Sequence, residues 1–163
     1  MVKYNIRKAD INDLEQITKL ESLCFPESEA ATRESFKRRL TVYPDYFFVL
    51  TISDNIVAMV NGMVTDNQDL IDEMYDDEEY HNVNGDWQMI FGVDTHPDYR
   101  KKGLAAALLN SFIDNARKEH RKGVVLTCKE KLIHYYEKFG FVNEGISTST
   151  HGDVLWYQMR LLF

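Results

Sequence analysis

Cysteine, proline and basic side chains are scarce in this sequence, and each scarcity excludes a class of protein. Only two cysteines occur among 163 residues. Cys24 and Cys128 lie far apart in apolar segments, which is neither a disulfide framework nor metal-ligand spacing, so we expect a cytoplasmic location and no metal. Lys and Arg number 19 against 26 Asp and Glu, a formal charge of −7. This balance disfavours general nucleic-acid binding and suits a cationic substrate.

Long apolar runs and linker-like segments are missing as well. No stretch approaches the length of a membrane span, and residues 1–7 lack the features of a signal peptide, so we expect a soluble protein without membrane contacts. With three prolines, no internal repeat and no low-complexity segment, nothing marks a domain boundary. A chain that is 44% hydrophobic can bury a sizeable core, and we expect one domain over residues 1–163.

Hydrophobic periodicity predicts alternating strands and helices. Asp54-Asn55 is a two-residue turn signal between two strands, which predicts an antiparallel hairpin. A strand, a helix and a nearly all-apolar strand between residues 87 and 128 predict a crossover unit with parallel strands. The predicted strands cover residues 2–7, 46–53, 56–65, 87–94, 124–128, 141–147 and 154–162. The predicted helices start after Asp10 and after Thr32, and two more cover residues 103–119 and 132–139.

The segment from Val93 to Ala105 carries the sharpest functional signal. It joins the end of a strand to the start of a helix with basic residues, a glycine and small residues, so free backbone N–H groups can converge on an anion such as a pyrophosphate. A tight turn with solvated lysines explains a bare glycine equally well. Neither G-x-x-x-x-G-K-[ST] nor G-x-G-x-x-G is present, so an NTPase loop and a dinucleotide-binding turn are not indicated.

Two motifs at matching separation resemble those of the GNAT acetyltransferases. Arg100–Ala105 reads R-K-K-G-L-A and matches the family pattern R/Q-x-x-G-x-G/A after a strand. His134–Phe141 reads H-Y-Y-E-K-F-G-F and is similar to the family segment Y-E-K-x-G-F. Nearly the whole chain resembles the arylalkylamine (serotonin-type) branch, although Lys129 stands where most members have asparagine. The branch features are Cys24-Phe25-Pro26, Tyr43-Pro44, Cys128 and Tyr136.

The resemblance implies the α/β GNAT acyl-CoA N-acyltransferase fold, with a mostly antiparallel central sheet, a parallel pair at the cofactor cleft and helices on both faces. It also implies acetyl-CoA as co-substrate, with the pantetheine paired like an extra strand along Phe91, Gly92 and Val93. Gly92 would then mark a bulge or a close backbone approach, the alternative being a packing glycine. The pyrophosphate would bind the backbone of Arg100, Lys101, Lys102, Gly103, Leu104 and Ala105.

The resemblance also implies that Tyr136 protonates the departing coenzyme A thiolate. A phenol with a pKa of about 10 is protonated at neutral pH and can donate to sulfur. Tyr135 points in another direction, because consecutive helical residues do, and we expect it to pack or to face solvent. Cys128 has no evident positive neighbour, so we expect an inert buried thiol and direct attack in a ternary complex, with the Val93 N–H polarising the thioester carbonyl.

The proton acceptor is not indicated by the sequence. Trp87 and Met89 stand where the serotonin-type enzymes have histidines, and neither can take a proton. Asp66, Asp86 and His151 are candidates, although the polar turn that carries His151 resembles an ordinary hairpin loop. The acidic segment 66–86 is either a solvated helix and loop or a means of attracting amines.

The predicted function is transfer of acetyl to a primary amine, including small arylalkylamines. The alternatives are a protein N-terminal or lysine acetyltransferase and a non-catalytic acyl-CoA sensor; the missing histidine pair favours the sensor, and Tyr136 counts against it. Leu161-Leu162-Phe163 is either a homodimer contact or a final core strand. Residues that could line an amine pocket, each equally explained as core, are Phe25, Pro26, Trp87, Met89 and Trp156.

Overall fold

The computed structural model describes residues 3–163, which form two compact units. The first unit comprises the chain up to Asn61 together with Gly92–Phe112, and the second comprises Gly62–Phe91 and Ile113–Phe163. Within residues 3–163, no helix is both long enough and apolar enough to cross a lipid bilayer.

Nine strands and four α-helices are found in residues 3–163. The strands are β1 (Asn5–Lys8), β2 (Phe47–Ile52), β3 (Asn55–Asn61), β4 (Val64–Thr65), β5 (Trp87–Ile90), β6 (Gly92–Thr95), β7 (Gly123–Cys128), β8 (Val142–Ile146) and β9 (Tyr157–Leu162). The helices are α1 (Leu14–Cys24), α2 (Arg33–Val42), α3 (Leu104–Lys118) and α4 (Ile133–Glu137). The first predicted strand is shifted, and its residue Val2 lies outside the described residues.

The first unit contains an antiparallel sheet in the order β1-β2-β3-β6. Successive side chains of a strand point to opposite faces, and β2 is buried on both. Phe47 meets Phe36 of α2 edge-on, with ring centroids 5.9 Å apart, while Phe48 meets Phe112 of α3 at 5.1 Å. Helices therefore cover both faces of this sheet, as the resemblance implied.

Local capping signals position the first two helices as predicted. The Asp10 side chain accepts the N–H of Asn12 at 2.8 Å, and the Asp13 carboxylate accepts the N–H of Asp10 at 2.9 Å. The first turn after Asp10 is a 3-10 turn that passes into α1. Thr32 accepts the N–H of Ser35 at 3.1 Å. Each side chain satisfies an N–H group that the helix leaves without a partner.

The second unit contains a five-stranded sheet in the order β4-β5-β7-β9-β8. Strands β5 and β7 are parallel, with Trp87 opposite Gly123 and Ile90 opposite Leu126, which confirms the predicted crossover unit. The other pairs are antiparallel. Leu161 is buried in β9, whereas Leu162 and Phe163 are exposed, so the C-terminal end belongs only in part to the core.

Two predicted strands are wrong as single elements. The apolar run 56–65 is divided into β3 and β4, and the run 87–94 is divided into β5 and β6. Gly62 lies at the first division, where a Cβ would be 1.8 Å from the backbone oxygen of Met89. A side chain there would collide with the backbone of β5, so the glycine permits this close approach.

The C-terminal elements are shorter than predicted. Helix α4 covers Ile133–Glu137 after a 3-10 turn at Glu130–Leu132, rather than residues 132–139. The last strand begins at Tyr157 instead of residue 154, because residues His151–Asp153 form a 3-10 turn. The indole N–H of Trp156 donates to the His151 carbonyl at 2.7 Å and holds this turn closed.

Candidate functional site

The basic loop before α3 has a backbone suited to anions. Lys101 and Gly103 have φ angles of 63° and 78°, in the left-handed region, and residues 100–103 are exposed. Such left-handed residues turn successive N–H groups toward one side and form anion-binding concavities. The first N–H groups of α3 are also unpaired within the helix and carry its positive end. The backbone of the loop therefore has the geometry of an anion-binding concavity, and its binding of a pyrophosphate stays a prediction.

Strand β6 is an edge strand of its sheet, and its backbone directions can be assigned. The N–H of His96 donates to the Val57 carbonyl of β3 at 2.8 Å. Because backbone groups alternate in direction along a strand, the N–H groups of Asp94 and Gly92 point toward β3 and the Val93 N–H points away from it. An extended ligand can pair with this edge, and the Val93 N–H can donate to it.

Gly92 does not serve a close approach between protein backbones. A Cβ at this position would have Asp94 Oδ1 at 3.4 Å as its nearest contact, which is an ordinary van der Waals distance. Gly92 and Asp94 share one face of β6, two residues apart. A break divides the predicted strand 87–94, but it falls at Phe91, and the protein itself does not require glycine at position 92.

Asp94 is a buried carboxyl group that the sequence analysis did not single out. It is 1% exposed, and neither of its carboxylate oxygens has a hydrogen-bond partner among the described residues. Glu21 and Cys24 of α1 and Arg39 of α2 are its charged or titratable neighbours. The Glu21 carboxyl can hydrogen-bond to Asp94 only when one of the two acids carries a proton.

Burial, reinforced by the negative charge of Glu21, raises the pKa of Asp94 well above its ordinary range. The Arg39 guanidinium opposes this shift and donates to Asn61 Oδ1 at 2.9 Å. Desolvation penalises a carboxylate more than a neutral acid. Strand β6 therefore carries on its buried face an acid whose charged form is disfavoured.

Tyr136 lies on α4 in the second unit and is 7% exposed. Its ring contacts Tyr135 at 5.2 Å and Phe141 at 6.0 Å, both edge-on. Tyr135 is half-buried and meets Phe139 at 5.3 Å, and burial raises the pKa of its phenol. Packing with the adjacent aromatic rings fixes the orientation of both tyrosines.

Cys128 is buried, and desolvation raises the pKa of its thiol to about 11. A thiol with so high a pKa is not a nucleophile at neutral pH, which agrees with the expected inert cysteine. Cys24 is half-buried and donates from Sγ to the Thr95 carbonyl at 3.3 Å. Burial raises its pKa, opposed by hydrogen bonding and charge from Arg100.

The two carboxylate candidates for the proton acceptor already have surface partners. Asp66 accepts a hydrogen bond from the Asn82 amide at 2.7 Å. Asp86 forms an ion pair with Lys122 at 3.3 Å. Both aspartates are exposed, so nothing in their surroundings prepares them to accept a proton.

His151 lies in a cluster of aromatic rings rather than in a solvated loop. Its ring stacks on Tyr75 with centroids 5.3 Å apart and an angle of 27°, and it lies 6.1 Å from Trp156. Tyr75 also contacts Phe91 at 5.0 Å. The structure thus brings together, through Tyr75, a predicted cofactor-strand residue and one candidate for the proton acceptor.

The residues proposed to line an amine pocket differ in their surroundings. Met89 is fully buried and belongs to the core. Trp87 is 8% exposed, and the Arg160 guanidinium lies 4.7 Å from its ring, so it also has a packing role. Phe25 and Trp156 are half-buried and Pro26 is exposed, which leaves their side chains accessible in part.

Comparison with known proteins identifies related chains. The model of the acetyltransferase (GNAT) family matches residues 14–141. The probable hydrolase YhcX of Bacillus subtilis is 24% identical over 159 residues, or 93% of this chain and 31% of that protein. A serotonin N-acetyltransferase of Mesocricetus auratus is 23% identical over 128 residues, or 78% of this chain and 60% of that protein. The chain therefore spans less than two thirds of the length of either relative.

A solved structure shares the fold. GphF, a GNAT-like decarboxylase in complex with isobutyryl-CoA, has a TM-score of 0.84 at 18% identity, covering 97% of this chain and 98% of that one. The mixed α/β fold that the resemblance implies is confirmed, with mostly antiparallel strands and one parallel pair. The sheet itself is divided into two parts.

Proposed function

Because the chain belongs to the acetyltransferase (GNAT) family, we propose that it transfers the acetyl group of acetyl-CoA to a primary amine within a ternary complex. The observation that carries this proposal is the succession of edge strand β6, with its outward Val93 N–H, and a loop with left-handed Lys101 and Gly103. An edge that pairs with pantetheine and a loop that binds pyrophosphate are what a coenzyme A ligand requires. The neighbour bound to isobutyryl-CoA supports an acyl-CoA ligand.

The residues of the chain would bind, polarise and donate protons. Acetyl-CoA would supply the acyl thioester. Loop N–H groups from Arg100 to Ala105 hold the pyrophosphate, and the Val93 N–H donates to the thioester carbonyl, where negative charge develops. Tyr136 holds a proton at its phenolic oxygen for the departing sulfur. No covalent intermediate on the protein is needed, which accords with the high pKa of Cys128.

A small amine with an apolar or aromatic body is the proposed acceptor. The formal charge of −7 favours a cation, and the serotonin N-acetyltransferase among the relatives supports an arylalkylamine. Organisation as one domain over residues 1–163, a cytoplasmic location and a homodimer contact stay predictions.

The test is a thiol-release assay with acetyl-CoA and a panel of arylalkylamines, polyamines and N-terminal peptides. We expect turnover of at least one arylalkylamine. Replacement of Tyr136 by Phe removes only the proton donor, and we expect kcat to fall about 100-fold or more, with acetyl-CoA affinity unchanged by calorimetry.

Tyr135→Phe is the matched control, because it removes one hydroxyl from the neighbouring ring and we expect kcat within a few-fold of wild type. Turnover of peptides alone would favour a protein acetyltransferase. Tight binding of acetyl-CoA without turnover of any amine would identify an acyl-CoA sensor and refute the proposed transferase.

A further inference from the structure

We propose that His151 accepts the proton of the incoming ammonium group and that Asp72 is the residue that positions it. This inference rests on the proposed function, since it assigns the proton step of the same reaction. Two observations support it: the hydrogen bonds that hold the loop, and the place of the imidazole among the aromatic rings.

Hydrogen bonds hold the loop that carries His151. The Asp72 carboxylate accepts from the Ser149 hydroxyl and from the Thr150 N–H, the latter at 2.9 Å. Ser149 is buried, and its Oγ accepts the His151 N–H at 3.3 Å. On the other side, the Trp156 indole donates to the His151 carbonyl. The backbone of His151 is thus held from both directions, as a group that must meet a substrate requires.

The imidazole is one ring away from Phe91, a residue predicted to pair with the pantetheine. Tyr75 contacts His151 on one side and Phe91 on the other. Phe91 directly precedes Gly92 and Val93 in the chain. His151 is half-buried, so solvent and a substrate amine can reach it. An ammonium group near these rings would also gain from their π faces.

Other candidates for the proton acceptor are less suited. His81 accepts the Val64 N–H at Nδ1, at 3.2 Å, and burial lowers its pKa. Its lone pair is therefore committed to the backbone. Asp94 is 1% exposed, so solvent does not reach its carboxyl group. Asp66 and Asp86 lie at the surface with other partners.

The groups around the ring favour a cationic substrate. The Asp72 carboxylate is bonded to the loop residues that precede His151. Asp153 belongs to the same 3-10 turn as His151. The ring that stacks on the imidazole carries the Tyr75 phenol. The opposing charge is Lys129, whose Nζ lies 5.9 Å from the Trp156 ring. These groups include more carboxylates than ammonium groups, a balance that attracts an amine.

The proposed step balances in protons and electrons. His151 takes one proton from the ammonium group, and the freed nitrogen forms a C–N bond with the acetyl carbon as the C–S bond breaks. The sulfur takes the proton held by Tyr136. The second proton leaves the nitrogen and, through solvent, restores Tyr136, while His151 releases its proton to solvent. The net products are the amide, the free thiol and one proton.

The test compares two acceptors across about pH 5–10, the range in which imidazoles and amines titrate. One acceptor is a strongly basic arylalkylamine, and the other is a weakly basic amine that is largely neutral at pH 7. For His151→Asn we expect kcat/KM at pH 7 to fall about 100-fold with the basic amine and only a few-fold with the weak one. The variant rate should then follow the neutral fraction of the basic amine.

Asp72 is tested by its own pair of variants. Asp72→Ala removes both acceptors of the loop, and we expect kcat with the basic amine to fall about 10-fold. Asp72→Asn keeps one acceptor oxygen, and we expect it to restore most of that loss. His120→Asn is the matched control, because His120 is exposed and has a left-handed φ of 63° that asparagine tolerates; it should leave both rates unchanged.

The outcomes separate this inference from the function on which it rests. Wild-type turnover with an unchanged His151→Asn profile, or an equal loss with both amines, would overturn the role of His151 and leave the transferase standing. Absence of wild-type turnover with every amine would overturn both proposals. A selective loss with the basic amine would confirm that the imidazole accepts the proton.

Discussion

The two units treat buried charge in opposite ways. In the second unit, Arg160 is 6% exposed and donates to Glu144 at 2.9 Å, to Asp69 at 2.5 Å and to the Gln68 carbonyl at 2.6 Å. Its guanidinium plane also lies against Trp87. In the first unit, Asp94 is more deeply buried and has no hydrogen-bond partner among the described residues.

This difference separates a charge that stabilises the fold from one that strains it. Hydrogen bonding by Arg160 lowers the pKa of Glu144. The ion pair therefore favours the guanidinium and carboxylate forms of the two side chains. Asp94 instead has its pKa raised by burial and by Glu21, so its charged form is disfavoured. A buried polar group that is left unsatisfied often marks a functional region, and Asp94 lies on the strand proposed to bind the cofactor.

The largest expected effect comes from breaking the complete network. Arg160→Met removes its hydrogen bonds to Glu144, Asp69 and Gln68 while keeping most of the side-chain volume. We expect the free energy of unfolding to fall by about 2–3 kcal/mol, since each bond to a charged group is worth about 1.5–3 kcal/mol and the carboxylates regain water. Urea denaturation measures this change. A loss below about 0.5 kcal/mol would show that the network adds nothing to stability.

The next effect concerns how the folding stability depends on pH through Asp94. Because the pKa of Asp94 is higher in the folded than in the unfolded protein, the folded state binds more protons between about pH 4 and the raised pKa, and its stability falls as pH rises through that window. Asp94→Asn removes this contribution. We expect the variant to gain about 1.4 kcal/mol at alkaline pH for each pKa unit of the shift. The free energy of unfolding of both proteins is measured at pH 5 and at pH 8. An equal change between the two pH values in wild type and variant would contradict this prediction.

The smallest effect concerns the negative charge of Glu21 beside Asp94. Glu21→Gln keeps an oxygen that can accept the Ala31 N–H, now bonded at 2.8 Å, but removes the negative charge beside Asp94. We expect the stability loss with rising pH to become smaller by up to about 1 kcal/mol without disappearing, because burial is the larger cause. Denaturant midpoints of the single and double variants measure it. If the Glu21→Gln and Asp94→Asn effects add fully, the two acids do not interact.

Local features could be predicted from the sequence, and features that depend on distant contacts could not. Asp10 and Thr32 cap helices through residues two or three positions away, and the left-handed Gly103 follows from a strand-to-helix loop. The division of the run 56–65 depends on the approach of Gly62 to Met89, and no change in apolar composition marks it. Tyr136, Phe91 and the loop 100–105 stay predictions as site residues.

The candidate site shows the same limit. Asp94 was visible as one acid in a short strand, but its burial depends on α1 and α2, which lie much earlier in the chain. The sequence leaves His151 as one candidate in a turn that resembles an ordinary hairpin loop, because Asp72, which holds this loop, is 77 residues from Ser149. Contacts of this kind are set by tertiary packing and leave no periodic signal.

The indole of Trp156 can serve as an intrinsic fluorescent reporter in the second unit. The chain has two tryptophans, and Trp156 lies beside an imidazole, at 6.1 Å from His151. A protonated imidazole quenches indole emission by accepting an electron from the excited ring, whereas a neutral one quenches weakly. With Trp87 replaced by Phe, the emission of the remaining indole would therefore rise and fall with the proton on His151. The occupancy of that proton could be read with a fluorimeter, before any amine is added.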